Sequence, residues 1–202
     1  MKKLTLMATV AVFAASWQAQ AAAPLCASAD QKTAVAENLK TKPAMIANGG
    51  TARMLKLPEE VVTSAMPADQ AVGVAGTAFA QVWETIPAWG ETLFLVIKGG
   101  NVFEIHSAAM PGKASERSNF YNLEAGAPLG GHLRPDLLNS IYAVVTPGER
   151  GGTTRGVVFY GPGGESMFAA FVGGEGGEAG AEQTAAFDKT LAAMKALPRA
   201  CS

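Results

Sequence analysis

Histidine and cysteine are both scarce in this chain of 202 residues, which holds two of each. With two histidines, a zinc site would have to recruit carboxylates from scattered segments. The cysteines, Cys26 and Cys201, have no C-x-x-C spacing and no histidine near them in sequence. G-x-S-x-G and H-E-x-x-H are missing as well, so the common hydrolase and metalloprotease patterns have no foothold. Charge excess is absent too. Lys and Arg total 16 against 17 for Asp and Glu, a net charge of −1, and no basic field exists to draw phosphate backbones. Nucleic-acid binding is therefore not expected. What is present is apolar material, 49% of the chain, enough for one ordinary globular core.

The N-terminus reads as a secretory signal peptide over residues 1–21. Met1-Lys2-Lys3 supplies the charged start, Leu4 to Ala15 the apolar segment, and Ala19-Gln20-Ala21 the small-x-small cleavage site. As a helix that segment rises about 18 Å, too short for a bilayer core of about 30 Å. No other apolar run is long enough to cross a membrane, so no membrane insertion of the mature chain is expected. Residues 22–202 are expected to form a single domain, periplasmic or secreted. An oxidising compartment changes the meaning of Cys26 and Cys201, which are expected to form a disulfide tying the ends together. A metal or redox pair is the alternative.

The body of the chain predicts two or three small helices between Asp30 and Met66, a short strand at Ala71 to Ala75, and a helix from Thr77 to Thr85 stopped by Pro87. Two apolar runs follow, Thr92 to Ile97 and Asn101 to Ile105, joined by Lys98-Gly99-Gly100 in the manner of a hairpin. Further strands are expected at Asn119 to Leu123, Asn139 to Val145, Thr154 to Tyr160 and Met167 to Val172, and a closing helix from Ala181 to Leu197. Strands outnumber helices and are joined by short turns. The pattern argues α+β: an antiparallel β-sheet with small N-terminal helices and a C-terminal helix.

Trp89 to Leu133 is the most informative stretch. It holds both histidines, and within or beside it lie Pro87-Ala88-Trp89-Gly90, Phe103-Glu104, Pro111-Gly112-Lys113, Tyr121-Asn122-Leu123 and Gly131-His132-Leu133. In order and spacing these pieces resemble the HutX/ChuX haem-utilisation carriers, with their W-G, (I/L)-(F/L)-E, P-x-G, G-Y-(Y/F)-N-L and G-H-(L/I). Leu57-Pro58-Glu59-Glu60, Gly164-Glu165-Ser166-Met167-Phe168 and the helix with Gln183 and Phe187 extend the likeness to roughly residues 35–194. The resemblance implies a HemS/ChuS/ChuX-like half-fold completed by homodimerisation, and haem as cargo.

His132 is the residue that matches the family's G-H-(L/I), and its imidazole is a good axial donor to haem iron. The alternative is a histidine that shapes its turn. The family's first strand tyrosine is replaced by Phe120, which is left to stack on a porphyrin; Tyr121 keeps the second aromatic place, with sheet packing as the alternative for both. His106 is either a substitute ligand or an exposed residue at a strand end. Lys113 and Arg117 flank the loop leading to Tyr121, where cations would meet haem propionates, or they belong to a solvated loop. Two departures stand against the family pattern: Ile97, where some relatives have histidine, and Gly173-Gly174-Glu175, where the family has a basic G-R-D. Gly174 to Ala179 also satisfies G-x-G-x-x-A, but its two glutamates and the lack of a following strand speak against a dinucleotide site.

The expected function is that of an exported haem carrier or chaperone in haem uptake, working with a haem donor or acceptor protein and more carrier than enzyme. A haem-degrading enzyme of the related haemin-processing family, or a ligand-free structural domain, are the alternatives.

Overall fold

The computed structural model describes residues 22–41, 48–98, 101–126, 128–147, 152–173 and 179–201. The expected leader over residues 1–21, the hairpin glycines Gly99 and Gly100, and most of the Gly174 to Ala179 loop lie outside them.

Three short helices come first: α1 (Ala29–Thr41), α2 (Gly49–Leu55) and α3 (Glu59–Ser64). They are followed by β1 (Ala71–Ala75), α4 (Phe79–Trp83), β2 (Glu91–Lys98), β3 (Asn101–Ala108), β4 (Gly112–Ala114), β5 (Tyr121–Leu123) and β6 (His132–Leu133). The chain closes with β7 (Ser140–Pro147), β8 (Thr153–Tyr160), β9 (Ser166–Val172) and α5 (Ala181–Lys195). The helix expected over Thr77 to Thr85 is broken. Only Phe79–Trp83 is α-helical, with 3₁₀ turns at Gly76–Ala78 and Ile86–Trp89. Pro87, which lacks an N–H, sits in the second of these turns. The strand expected to end at Ile105 runs on to Ala108, so His106 lies within β3 and not after it.

Six strands form one antiparallel sheet in the order β1-β7-β8-β9-β2-β3, and β4, β5 and β6 form a second, smaller one. Every pairing among these strands is antiparallel, so β9 does not feed the parallel strand that a dinucleotide fold requires. Both faces of the large sheet are covered over its middle strands, which is why β7 and the second half of β8 read as continuous apolar runs rather than alternating ones. One face, with Phe94, Ile141, Ala143, Val157, Phe159 and Ala170, packs against Phe79, Trp83, Trp89, Phe187 and Met194 from α4, α5 and the turn between α4 and β2. Trp89 donates from Nε1 to Thr190 Oγ1 at 3.0 Å, which ties α5 to that turn. The other face carries Leu95, Tyr142, Val158, Tyr160 and Phe171. There Gly73 lies opposite Tyr142, and a Cβ at Gly73 would run into that ring.

Two tethers hold the ends of the domain on the second face. Cys26 and Cys201 form the expected disulfide, with Cα atoms 5.7 Å apart and 175 residues between them in sequence. Glu60, fully buried on α3, accepts hydrogen bonds from the Leu25 amide (3.0 Å), the Ser140 hydroxyl (2.5 Å) and the Asn139 amide (3.2 Å). Beside it the Thr63 and Tyr160 hydroxyls meet at 2.6 Å. Burial pushes the Tyr160 phenol far above its ordinary range, so it stays protonated and serves as a structural bridge.

Candidate functional site

The small sheet is an outlying layer fastened to the first core by its inner face. Tyr121, Leu123 and Leu133 point inward, and the Tyr121 ring meets Phe79 edge-on at 5.1 Å between centroids. The Tyr121 phenol donates to the Gly112 carbonyl at 2.7 Å. Its pKa is raised by burial, with Glu84 and Glu124 adding to the effect. A phenolate ligand to iron must lose the very proton that this environment retains.

Alternation sends the intervening residues outward. Lys113 on β4, Asn122 on β5 and His132 on β6 are direct cross-strand partners, so they form one row on the outer face. Phe120 and Arg134 lie two residues from Asn122 and His132 and form the next row. The His132 Nδ1 is 2.7 Å from Asn122 Oδ1, and the Phe120 and His132 rings are 5.7 Å apart. The Arg134 guanidinium stands 5.5 Å from the Phe120 centroid, a cation–π distance. Arg134 is clamped by Asp136, with Nε to Oδ1 and Nη2 to Oδ2 both at 2.7 Å, and Asn119 donates to the same carboxylate at 3.0 Å. The Arg134 hydrogen bond is the main cause that holds the Asp136 carboxyl below its usual range.

A cavity of about 370 Å³ opens behind Phe120. Phe79, Ala80, Tyr121 and Pro135 supply apolar walls, and Asn119 and Asp136 polar ones. Its size falls within the range of small-molecule pockets. Phe120 is 39% exposed; it lines the cavity and its ring also neighbours His132 of the outer row.

Of the residues singled out in sequence, the structure brings together His132, Phe120 and Lys113. Arg117 lies exposed in the loop between β4 and β5. Tyr121 borders the same region from beneath, on the core side. His106 is elsewhere: it pairs with Leu93 across β3 and β2, on the face of the large sheet that also carries Ile97, and its Nδ1 is buried without a hydrogen-bond partner among the described residues. Sequence reasoning missed Arg134, Asp136 and Asn119, and it missed the Asn122 contact to His132. The two-residue spacing of His132, Arg134 and Asp136 was the available signal for the first two.

Among the described residues no group of three or more His, Cys, Asp and Glu side chains is placed to hold a metal ion, and no helix is long and apolar enough to cross a membrane.

The family model described as haem utilisation ChuX/HutX matches residues 72–190. The intracellular heme transport protein HutX of Vibrio cholerae is 26% identical over 140 residues, 69% of this chain and 70% of that protein. The solved structure of the heme binding protein ChuX superposes with a TM-score of 0.69 at 24% identity, covering 80% of this chain and 99% of that one. ChuS, a heme oxygenase from E. coli, matches at 16% identity with a TM-score of 0.60, covering 87% of this chain but 50% of ChuS. The fold is thus the ChuX fold and one half of the ChuS architecture.

Proposed function

The chain belongs to the ChuX/HutX haem-utilisation family, and from that premise we propose that it is an exported haem carrier that takes haem as cargo on the outer face of the β4-β5-β6 sheet. The observation that carries the reading is the register of that sheet, which sets an exposed imidazole, an aromatic ring and a cation side by side. His132 is the axial donor to iron, Phe120 lies against the porphyrin, and Lys113 meets a propionate. Arg117 is a second cation at the rim. Arg134, with its fork already filled by Asp136, serves to hold Phe120. An iron ligand on an exposed strand, open to solvent, suits a protein that must give up its cargo. Tyr121 forms part of the wall, and His106 stands apart from the site.

Residues 1–21 and the Cys26–Cys201 disulfide support export, in contrast to the intracellular heme transport protein HutX of Vibrio cholerae. The half-length correspondence to ChuS supports a homodimer. Among the described residues β3 is an edge strand paired with β2 alone, and its Val102 and Phe103 are each 56% exposed, an apolar edge of the kind a second copy would cover. Donor and acceptor proteins would then exchange haem with a dimer.

Titration of the mature protein with haemin tests the reading. A saturable Soret shift near one haem per protomer is expected, and no bilin on incubation of the complex with reductant and oxygen. A shift no larger than that of an unrelated protein of similar hydropathy removes the carrier assignment. Stoichiometric bilin moves the protein to the haem-degrading class.

A further inference from the structure

We propose that Asn122 is a positioning residue for His132: it holds the imidazole proton on Nδ1 and so leaves the Nε2 lone pair as the outward donor. The inference rests on the haem-carrier reading for its purpose, and on the ligand-free protein for its geometry. A neutral imidazole carries one proton, and only the nitrogen without it can accept a hydrogen bond or ligate a metal. At 2.7 Å from Nδ1 stands an amide oxygen, which has lone pairs and no hydrogen. The ring must therefore donate from Nδ1, and Nε2 is the bare nitrogen. Were the amide nitrogen turned to the ring, the assignment would reverse and Nε2 would hold the proton.

The backbone enforces this pairing. Asn122 and His132 are Cα partners, so their side chains stand on one face a short distance apart. Tyr121, locked inward by Phe79 and by its bond to Gly112, dictates that Asn122 points outward. Leu123 donates to the Gly131 carbonyl at 3.0 Å, which pins the start of β6. Gly131 itself has φ of 145°, a conformation that other residues rarely adopt, and it aims His132 at Asn122. Phe120 on the next row limits rotation of the ring.

The acceptor is neutral, and that has a consequence for ligand strength. A carboxylate facing Nδ1–H draws the proton toward itself and makes Nε2 a stronger base; an amide does so weakly. Asn122 thus orients the donor without tightening its hold on iron, as a releasing protein requires.

Two-bond ¹H–¹⁵N correlation spectra of the ligand-free protein read the tautomer directly, with His106 assigned from its loss in His106→Ala. The wild type and Asn122→Asp are expected to show His132 protonated at Nδ1, and Asn122→Leu a mixture or the Nε2–H form. A wild-type His132 protonated at Nε2 overturns the proposal whether or not haem binds. In the haem complex, transfer to excess apomyoglobin should run about tenfold faster from Asn122→Leu and no faster than wild type from Asn122→Asp. An Asn122→Leu rate equal to wild type overturns the positioning role. Failure of the carrier reading shows separately, as no saturable haemin spectrum in the wild type.

Discussion

Phe120, just before β5, and His132 on β6 stand with ring centroids 5.7 Å apart and planes inclined at 58°, on the outer side of a sheet whose other face is sealed into the core. Phe120 occupies the place where the family pattern has its first strand tyrosine, so a phenol introduced there would open beside the imidazole. Phe120→Tyr is expected to move the visible spectrum toward phenolate ligation and to slow haem loss. Phe120→Ala is expected to weaken binding several-fold without changing the ligand signature. Stopped-flow transfer and absorption spectra of the two variants distinguish these outcomes, and identical spectra for wild type and Phe120→Tyr would place iron away from this row.

The Glu60 carboxylate holds the residues around Leu25 against the start of β7 through three donors. Glu60→Ala strands those donors in a buried site, where each unsatisfied group costs about 1–3 kcal/mol. Loss of at least about 2 kcal/mol in urea unfolding is expected, with haem affinity of the folded fraction unchanged. Since Glu60 lies across the large sheet from His132, a large affinity change in folded protein would contradict the placement of the site.

Reduction of the Cys26–Cys201 bond, or Cys26→Ser with Cys201→Ser, should lower the unfolding midpoint. The chain-entropy limit for a loop of this length is about 5 kcal/mol, and measured values fall below it. Exported protein should begin at Ala22 and show no free thiol on alkylation without reductant. Two alkylated thiols in the periplasmic fraction would remove the oxidising-compartment reading.

The Asp136 carboxyl is depressed chiefly by its bond to Arg134, with Asn119 adding to it against partial desolvation. A group with a lowered folded pKa stabilises the protein above its unfolded value, 3.8 for Asp136, and the contribution is lost as pH falls through the folded value. The clamp on Phe120 should therefore persist unchanged from pH 8 to about 5. The stability gap between wild type and Asp136→Asn should be full in that range and close in acid below about pH 3.8. A gap that already closes near pH 6 would show that another group controls the clamp.

The long strands were legible because β-branched and aromatic runs of seven or eight residues leave few other structures open, and the disulfide because two cysteines permit one pairing. The small sheet was not. Strands of two and three residues carry no periodicity, and Asn119 to Leu123 reads in sequence as part of the main sheet. His132 was visible as a motif residue, but its contact with Asn122 depends on the register between β5 and β6, which local pattern does not encode. His106 was misplaced for a similar reason: its polarity reads as a strand end, while its pairing with Leu93 keeps β3 going to Ala108.

The most direct test of the site is the haem complex of His132→Ala set beside Tyr121→Phe and His106→Ala. His132→Ala is expected to lose the imidazole signature and to release haem ten to a hundred times faster, about 1.4–2.8 kcal/mol of lost ligation, while the other two stay near wild type. A folded His132→Ala protein with an unchanged spectrum and off-rate would contradict the assignment.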